Sequence, residues 1–223
     1  MPAPHPTKLF HITAIANLPA IFAAGALLAK NAGAAAGINY QNIAHHGAQG
    51  ARAGRWVPNP PGGQIHDFVP FYFAPRSPML FAINGGRVAG CTLKQDDIVH
   101  FMTTVEAVTA GGAPFVFYDR NATLAYSTAS TDLAQLDALV AWDLLLEEPA
   151  LGGYCKFWHN NQHHPDRMER RQAEFLVHDH VPLDQIHGIG VYKEDKAVAV
   201  RAMLDEHGLN LRVAVKQDWY FQE

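Results

Sequence analysis

Cysteine is scarce in this chain: two in 223 residues, Cys91 and Cys155. Their spacing matches neither a zinc knuckle nor a disulfide framework, so the fold has to be held by its core, and a reducing, cytoplasmic setting is expected. Charge is also sparse, at 17% of residues, which excludes a disordered or supercharged chain. No apolar run approaches bilayer-spanning length; the alanine-rich stretch from Ile21 to Ala36 is interrupted by Lys30, Asn31 and Gly33. The opening residues Met1 to Lys8 are proline-rich and lack a signal-peptide core, so a soluble protein without a membrane partner is expected. A glycine-rich phosphate loop at a strand–helix junction is missing too, which argues against a doubly wound nucleotide fold.

What is present is 48% hydrophobic residues, enough for one sizeable core, and a single domain over residues 1–223 is the expectation. The net charge of −4 is unevenly spread. Residues 1–90 carry six basic residues against the single acid Asp67, a net of +5 that leaves −9 for the rest. Such an asymmetry fits a local anion-binding face as well as it fits chance.

Strands are expected at Leu9 to Thr13, Val69 to Phe73, Ile98 to Met102, Phe115 to Phe117, Ala173 to Val177, Gly188 to Val191 and near Leu211 to Val215. Helices are expected after Asn17 as N-cap and up to Gly25, over Pro78 to Ile83 starting near Ser77, over Leu133 to Leu146 as an acidic outer face, and near Ala197 to His207. Asn31 to Gly63 and Gly152 to Asp166 read as long irregular loops, and loops of that length are usually functional. Strands and helices intermix without a βαβ rhythm, which predicts an α+β fold.

Glu174 is the first chemical anomaly, a carboxylate inside an apolar strand. It faces opposite to Ala173, Phe175 and Val177. It is either an exposed or Arg170/Arg171-paired side chain, or a group kept for a cleft. Arg52 and Arg55 are solvated arginines or phosphate ligands, the latter suiting the guanidinium fork. His11 and Thr13 lie at a strand end, and Tyr72 faces away from Phe71 and Phe73, free to stack on a ring. His159, His163 and His164 have no carboxylate or cysteine placed with them, so no metal is expected.

Longer motifs say more. His11-Ile12-Thr13, Val57-Pro58-Asn59-Pro60-Pro61-Gly62-Gly63, His66-Asp67-Phe68-Val69-Pro70-Phe71-Tyr72-Phe73, Pro75-Arg76-Ser77-Pro78-Met79-Leu80, Phe115 to Asn121, Arg171-Gln172-Ala173-Glu174-Phe175-Leu176-Val177 and Asp218-Trp219-Tyr220 occur in order over nearly the whole chain. Through them the chain resembles the DarT family of DNA ADP-ribosyltransferase toxins.

The resemblance implies an ADP-ribosyltransferase fold of two packed, split β-sheets flanked by helices, with NAD+ as co-substrate in the cleft. It implies Glu174 as the catalytic glutamate and Arg52 as the essential arginine, with Arg55 the competing choice. His11, Thr13, Asn17 and Tyr72 would hold NAD+, with Arg52 binding its pyrophosphate or the acceptor. The loop from Gly152 to Asp166 would engage the substrate: Lys156, Arg167, Arg170 and Arg171 in and around it would hold phosphates of single-stranded DNA, and Tyr154, Phe157 or Trp158 would stack on bases, with packing of these aromatics against the domain the other option. The acceptor would be thymidine or guanosine, with a lean to thymidine, and the partner a DarG-like macrodomain antitoxin. RNA or protein as acceptor, a non-catalytic NAD+ or nucleic-acid module, and a histidine metal hydrolase are the competing readings.

Overall fold

The computed structural model describes residues 1–44 and 46–222, so His45, inside the stretch expected to be irregular, lies outside the described residues. Twelve strands are present among them. They are β1 (Lys8–Ala14), β2 (Ala26–Leu28), β3 (Phe68–Tyr72), β4 (Ile98–Thr104), β5 (Phe115–Tyr118) and β6 (Ala129–Ser130), followed by β7 (Ala150–Leu151), β8 (Tyr154–Cys155), β9 (Glu174–His178), β10 (His180–Pro182), β11 (Gly188–Val191) and β12 (Val213–Val215). Eight of these form one ladder in the order β12-β11-β4-β1-β3-β9-β5-β6. Two pairs stand apart, β10 with β2 and β7 with β8.

The ladder is almost two sheets. β1 pairs with β4 along its whole length, Lys8 with Thr104 through Ala14 with Ile98. β3 pairs fully with β9, from Phe68–His178 to Tyr72–Glu174. Between β1 and β3, however, only Phe10 and Tyr72 are in register. Strands that diverge from a single pair open a wedge between two four-stranded halves. This is the split that the resemblance implies, and the mixed strand–helix order is the α+β class expected.

Helix positions follow from local chemistry. α1 (Leu18–Ala24) ends at Gly25, which takes the left-handed conformation (φ 67) that glycine adopts at least cost. α2 (Lys30–Ala35) and α3 (His46–Gly54) lie in the stretch expected to be irregular. Alanine favours both, but neither carries the periodic apolar stripe by which a helix is recognised in sequence. α4 (Pro78–Asn84) is capped by Ser77, whose hydroxyl accepts from the Leu80 N–H, as expected. α5 (Val105–Ala110) follows β4 directly.

The acidic outer helix expected over Leu133 to Leu146 is instead two short pieces, α6 (Leu136–Leu139) and α7 (Trp142–Leu145), separated by the extended residue Val140. The break turns Trp142, Leu144 and Leu145 inward, and the Trp142 indole N–H donates to the Leu136 carbonyl at 3.1 Å. Burial of a large indole outweighs the lost helical turn. The loop from Gly152 to Asp166 is likewise less irregular than expected, because β8 hairpins onto β7. α8 (Arg167–Arg170) closes that loop, and α9 (Glu194–Glu206) packs Ala197, Val200 and Leu204 inward beside β11 and β12.

Core packing on β9 is as its alternation predicts. Ala173, Phe175 and Val177 enter the main core, and Leu176 enters a second, smaller cluster with Val116 and Tyr118. Phe175 stacks between Phe115 and Phe117 of β5. Glu174 shares the Leu176 face at the end of the strand, where the core gives way to the wedge.

Candidate active site

The site begins as a row across three strands. Tyr72 of β3 and Tyr118 of β5 each pair in register with Glu174 of β9, so the carboxylate is flanked by two phenols. Glu174 is fully buried. A buried carboxylate is costly unless paired and hydrogen-bonded. Here Arg52 Nη1 donates to Oε2 at 2.9 Å and to Oε1 at 3.1 Å, and the Ala122 N–H donates to Oε1 at 3.3 Å.

The electrostatics follow from that enclosure. Burial is the largest influence and opposes the Arg52 charge, but the charge and hydrogen bond of Glu174, together with Tyr72 and Tyr118, outweigh it and hold the guanidinium above its ordinary pKa. Burial first, and Glu174 second, push the Tyr72 phenol up. Tyr118 is also raised, chiefly by burial, and its hydroxyl has no partner among the described residues. Both phenols are therefore neutral donors beside a carboxylate.

Arg52 sits in the last turn of α3, which brings it from 122 positions upstream to the end of β9. Arg55 points elsewhere, with Nη2 3.4 Å from the Leu124 carbonyl. Of the two arginines, Arg52 is the one that reaches Glu174.

The wedge between the half-sheets opens into a cleft of about 410 Å³. His11, Thr13, Asn17, Arg52 and Tyr72, scattered in sequence, all line it. Glu174 lies behind them, covered by Arg52 and flanked by Tyr72. His11 Nδ1 is 2.8 Å from the Pro70 carbonyl, so Nδ1 carries the proton and Nε2 is left as an acceptor. Burial lowers the His11 pKa, although the Pro70 bond opposes it, and the ring is neutral. Asn17 occupies the N-cap position of α1 without capping it. Its amide instead donates to Thr13 Oγ1 and the Gln41 carbonyl, both at 3.0 Å, and accepts from the Gln41 N–H at 2.7 Å. That side chain ties the Gln41 segment to β1, a tertiary demand that overrides the local cap, and its Oδ1 keeps one lone pair without a partner among the described residues.

A second cavity of about 230 Å³ shares Arg52 and Tyr72 with the first and adds Asn121, Thr123 and Gln172. Two adjoining spaces meeting at one Arg–Tyr wall suit a reaction between two substrates. Sequence reasoning did not single out Lys30, Gln49 or His66, which also line the larger cleft.

The five residues expected to meet DNA are placed differently from one another. Tyr154 and Trp158 are buried, Tyr154 edge-on to Phe10 and Trp158 against Phe81 and Phe221. Arg167 and Arg171 are buried as well, Arg167 bonded to Glu147 and to Cys155 Sγ, and Arg171 over the Trp158 ring. Arg170 is half-buried, while Lys156 and Phe157 are exposed. Among the described residues, no group of three His, Cys, Asp or Glu side chains is placed to hold a metal. No described helix is long and apolar enough to cross a membrane.

A buried glutamate paired with an arginine, set at the split of a mixed sheet beneath a dinucleotide-sized cleft, defines the class as an ADP-ribosyltransferase. A family model described as "ssDNA thymidine ADP-ribosyltransferase, DarT" matches residues 10–221, and the chain belongs to this family. A DNA ADP-ribosyl transferase of Thermus sp. (strain 2.9) is 36% identical over 220 residues, covering 98% of each chain. One from Escherichia coli O127:H6 is 33% identical over 183 residues, 82% of this chain and 80% of the relative. The solved structure of Thermus sp. 2.9 DarT in complex with ADP-ribosylated ssDNA superposes with a TM-score of 0.88 at 35% identity, covering 99% of both chains. The same enzyme in complex with NAD+ gives 0.82 at 34% identity, covering 98% of this chain and all of that one.

Proposed function

We propose that this chain, acting as a single domain, transfers ADP-ribose from NAD+ to thymidine in single-stranded DNA, as the toxin of a toxin–antitoxin pair. The enzyme is a DNA ADP-ribosyltransferase with NAD+ as its co-substrate. The observation that carries the mechanism is the buried Glu174–Arg52 pair at the wall between two cavities. The reaction breaks the nicotinamide–ribose bond and develops positive charge on the ribose. A fixed carboxylate stabilises that charge where it forms, and a strand is a rigid mount for it. Nicotinamide leaves with the bonding electrons, and the acceptor base donates a lone pair to the ribose carbon and releases its proton. Glu174 takes or relays that proton.

Arg52 acts electrostatically, because its guanidinium stays protonated throughout. It holds the Glu174 carboxylate in place through two hydrogen bonds and steers both substrates to the shared wall. His11, Thr13, Asn17 and Tyr72 hold the nicotinamide–ribose half of NAD+ in the larger cleft. The base enters the smaller one, which requires single-stranded DNA because an acceptor atom inside a duplex is out of reach. Arg170, Lys156 and Phe157 offer the charge and the ring that meet the strand, on a base built by Tyr154, Trp158, Arg167 and Arg171. A protein that marks its own cell's DNA calls for an antidote, and a macrodomain that removes ADP-ribose has the matching chemistry.

The test is mass spectrometry of single-stranded oligonucleotides incubated with NAD+ and the protein. We expect an ADP-ribose adduct on strands containing thymidine, none when every thymidine is replaced by deoxycytidine, and none on the duplex. Adducts on RNA alone, or on thymidine-free strands containing deoxyguanosine, would overturn the acceptor assignment.

A further inference from the structure

We propose that Arg171, with Arg76 and Arg167, encloses a binding site for one halide-sized inorganic anion, such as chloride, beneath the loop from Gly152 to Asp166. Arg76, Arg167 and Arg171 are 3%, 0% and 3% exposed. They come from separate segments: Arg76 precedes α4, Arg167 opens α8 and Arg171 follows it. Their charges are unequally answered. Arg76 donates to the carbonyls of Asp218, Leu151, Tyr154 and Cys155, and the Asp218 carboxylate supports its charge. Arg167 pairs with Glu147 and donates from Nη1 to Cys155 Sγ at 3.2 Å. Arg171 has no ion pair among the described residues, and its Nε and Nη1 are buried and unpartnered there. Three guanidinium charges thus meet two carboxylates, and the excess charge sits on Arg171.

The Trp158 ring answers that charge only in part. Arg171 Cζ lies 5.6 Å from the ring centroid, so the ring meets the face of the guanidinium. The N–H groups lie in the guanidinium plane and still call for an acceptor. Arg76 Nε, Arg167 Nε and the Trp158 indole N–H are further buried donors without a partner among the described residues. Donors therefore outnumber acceptors, and the excess charge makes the matching acceptor an anion. Water accepts such bonds but leaves the charge unpaired in a low-dielectric site. Burial first, then the like charges of Arg76 and Arg167, lower the Arg171 pKa to about 10 against the opposing pull of Cys155 and Glu147, so the group is charged at neutral pH. None of the three arginines lines the two cavities described above, which sets this site apart from them and limits its occupant to a compact ion. A halide carries the single charge required and accepts from several donors at once, each bond charge-assisted. The site also bears on the reaction. Arg171 stands three residues before Glu174, and Gln172 between them lines the smaller cavity, so the anion fixes the turn that enters β9.

Melting temperatures of the intact protein, with sodium chloride exchanged for sodium gluconate at constant ionic strength, test this. Chloride and bromide should raise the melting temperature along a saturating curve, by roughly 5–10 °C at a hundredfold excess over the dissociation constant. Gluconate, too large to be enclosed, should leave it unchanged. Arg171→Met should abolish the chloride response, whereas Arg212→Met, at an exposed arginine, should keep it. Crystals soaked in bromide should show an anomalous peak within hydrogen-bonding reach of Arg171. A melting temperature equal in chloride and gluconate would overturn the proposal, as would an Arg171→Met protein that keeps the chloride response or a bromide map without a peak at Arg171. Should Arg171→Met not fold, the wild-type comparison of the two salts and the bromide map decide the question by themselves.

Discussion

Glu174 and Arg52 illustrate how a single buried pair can be both machinery and structural liability. Neither charge has a second ion-pair partner among the described residues, and the Ala122 N–H alone does not neutralise Glu174, so removing one charge strands the other in a low-dielectric site. Arg52→Met should therefore cost about 3–5 kcal/mol of stability, and the double variant Arg52→Met/Glu174→Gln should recover much of that loss. Thermal or denaturant melts of the four proteins measure the coupling. Additive losses would mean that the two groups do not depend on each other. Of this pair only half was legible in sequence. Glu174 stood out as a charge in an apolar strand, but its pairing with Arg52 rather than Arg170 or Arg171 is a contact across 122 positions, which no local pattern encodes.

At the scale of elements, period-2 alternation is a strong signal because both faces of a central strand are decided by packing. β1, β3, β4, β9 and β11 accordingly lie within a residue or two of where the pattern puts them. α2 and α3 were missed because alanine and glycine write no apolar stripe. The expected helix over 133–146 failed because a stripe was there but its burial required a break at Val140. DNA-contact expectations for Tyr154, Trp158, Arg167 and Arg171 came from residue type, which does not show whether a side chain points in or out. β11 shows a constraint of another kind. A Cβ at Gly190 would lie 2.3 Å from the Trp219 ring, while Tyr220 donates from its hydroxyl to the Gly190 carbonyl at 3.2 Å. Gly190→Ala should destabilise the protein by about 1–3 kcal/mol through overpacking. A melting temperature equal to wild type would show that the closing Trp219 segment is free to move aside.

For the molecule as a whole, stability should depend on pH through its buried imidazoles. His100 is fully buried between β1 and β11, hydrogen-bonded at 3.0 Å from Nε2 to the Pro75 carbonyl. Burial is the main cause that lowers its pKa from 6.5 to about 4, and His66 is lowered to about 4 as well. A group whose native pKa lies below its unfolded value binds more protons in the unfolded state between the two. Stability is thus fully present above pH 6.5 and is lost progressively as pH falls from 6.5 towards 4. Melting temperatures measured from pH 8 to 4.5 should hold level and then fall, and His100→Gln should flatten the fall. A melting curve insensitive to pH across that window would show that these rings are not buried neutral.

The most direct measurement pairs NAD+ binding with ADP-ribose transfer to a thymidine-containing oligonucleotide, for wild type and Glu174→Gln. The amide keeps the shape and removes the charge, so NAD+ should bind within a few-fold of wild type while transfer falls by roughly a hundredfold to a thousandfold. Transfer at the wild-type rate by a folded, NAD+-binding Glu174→Gln protein would contradict the account.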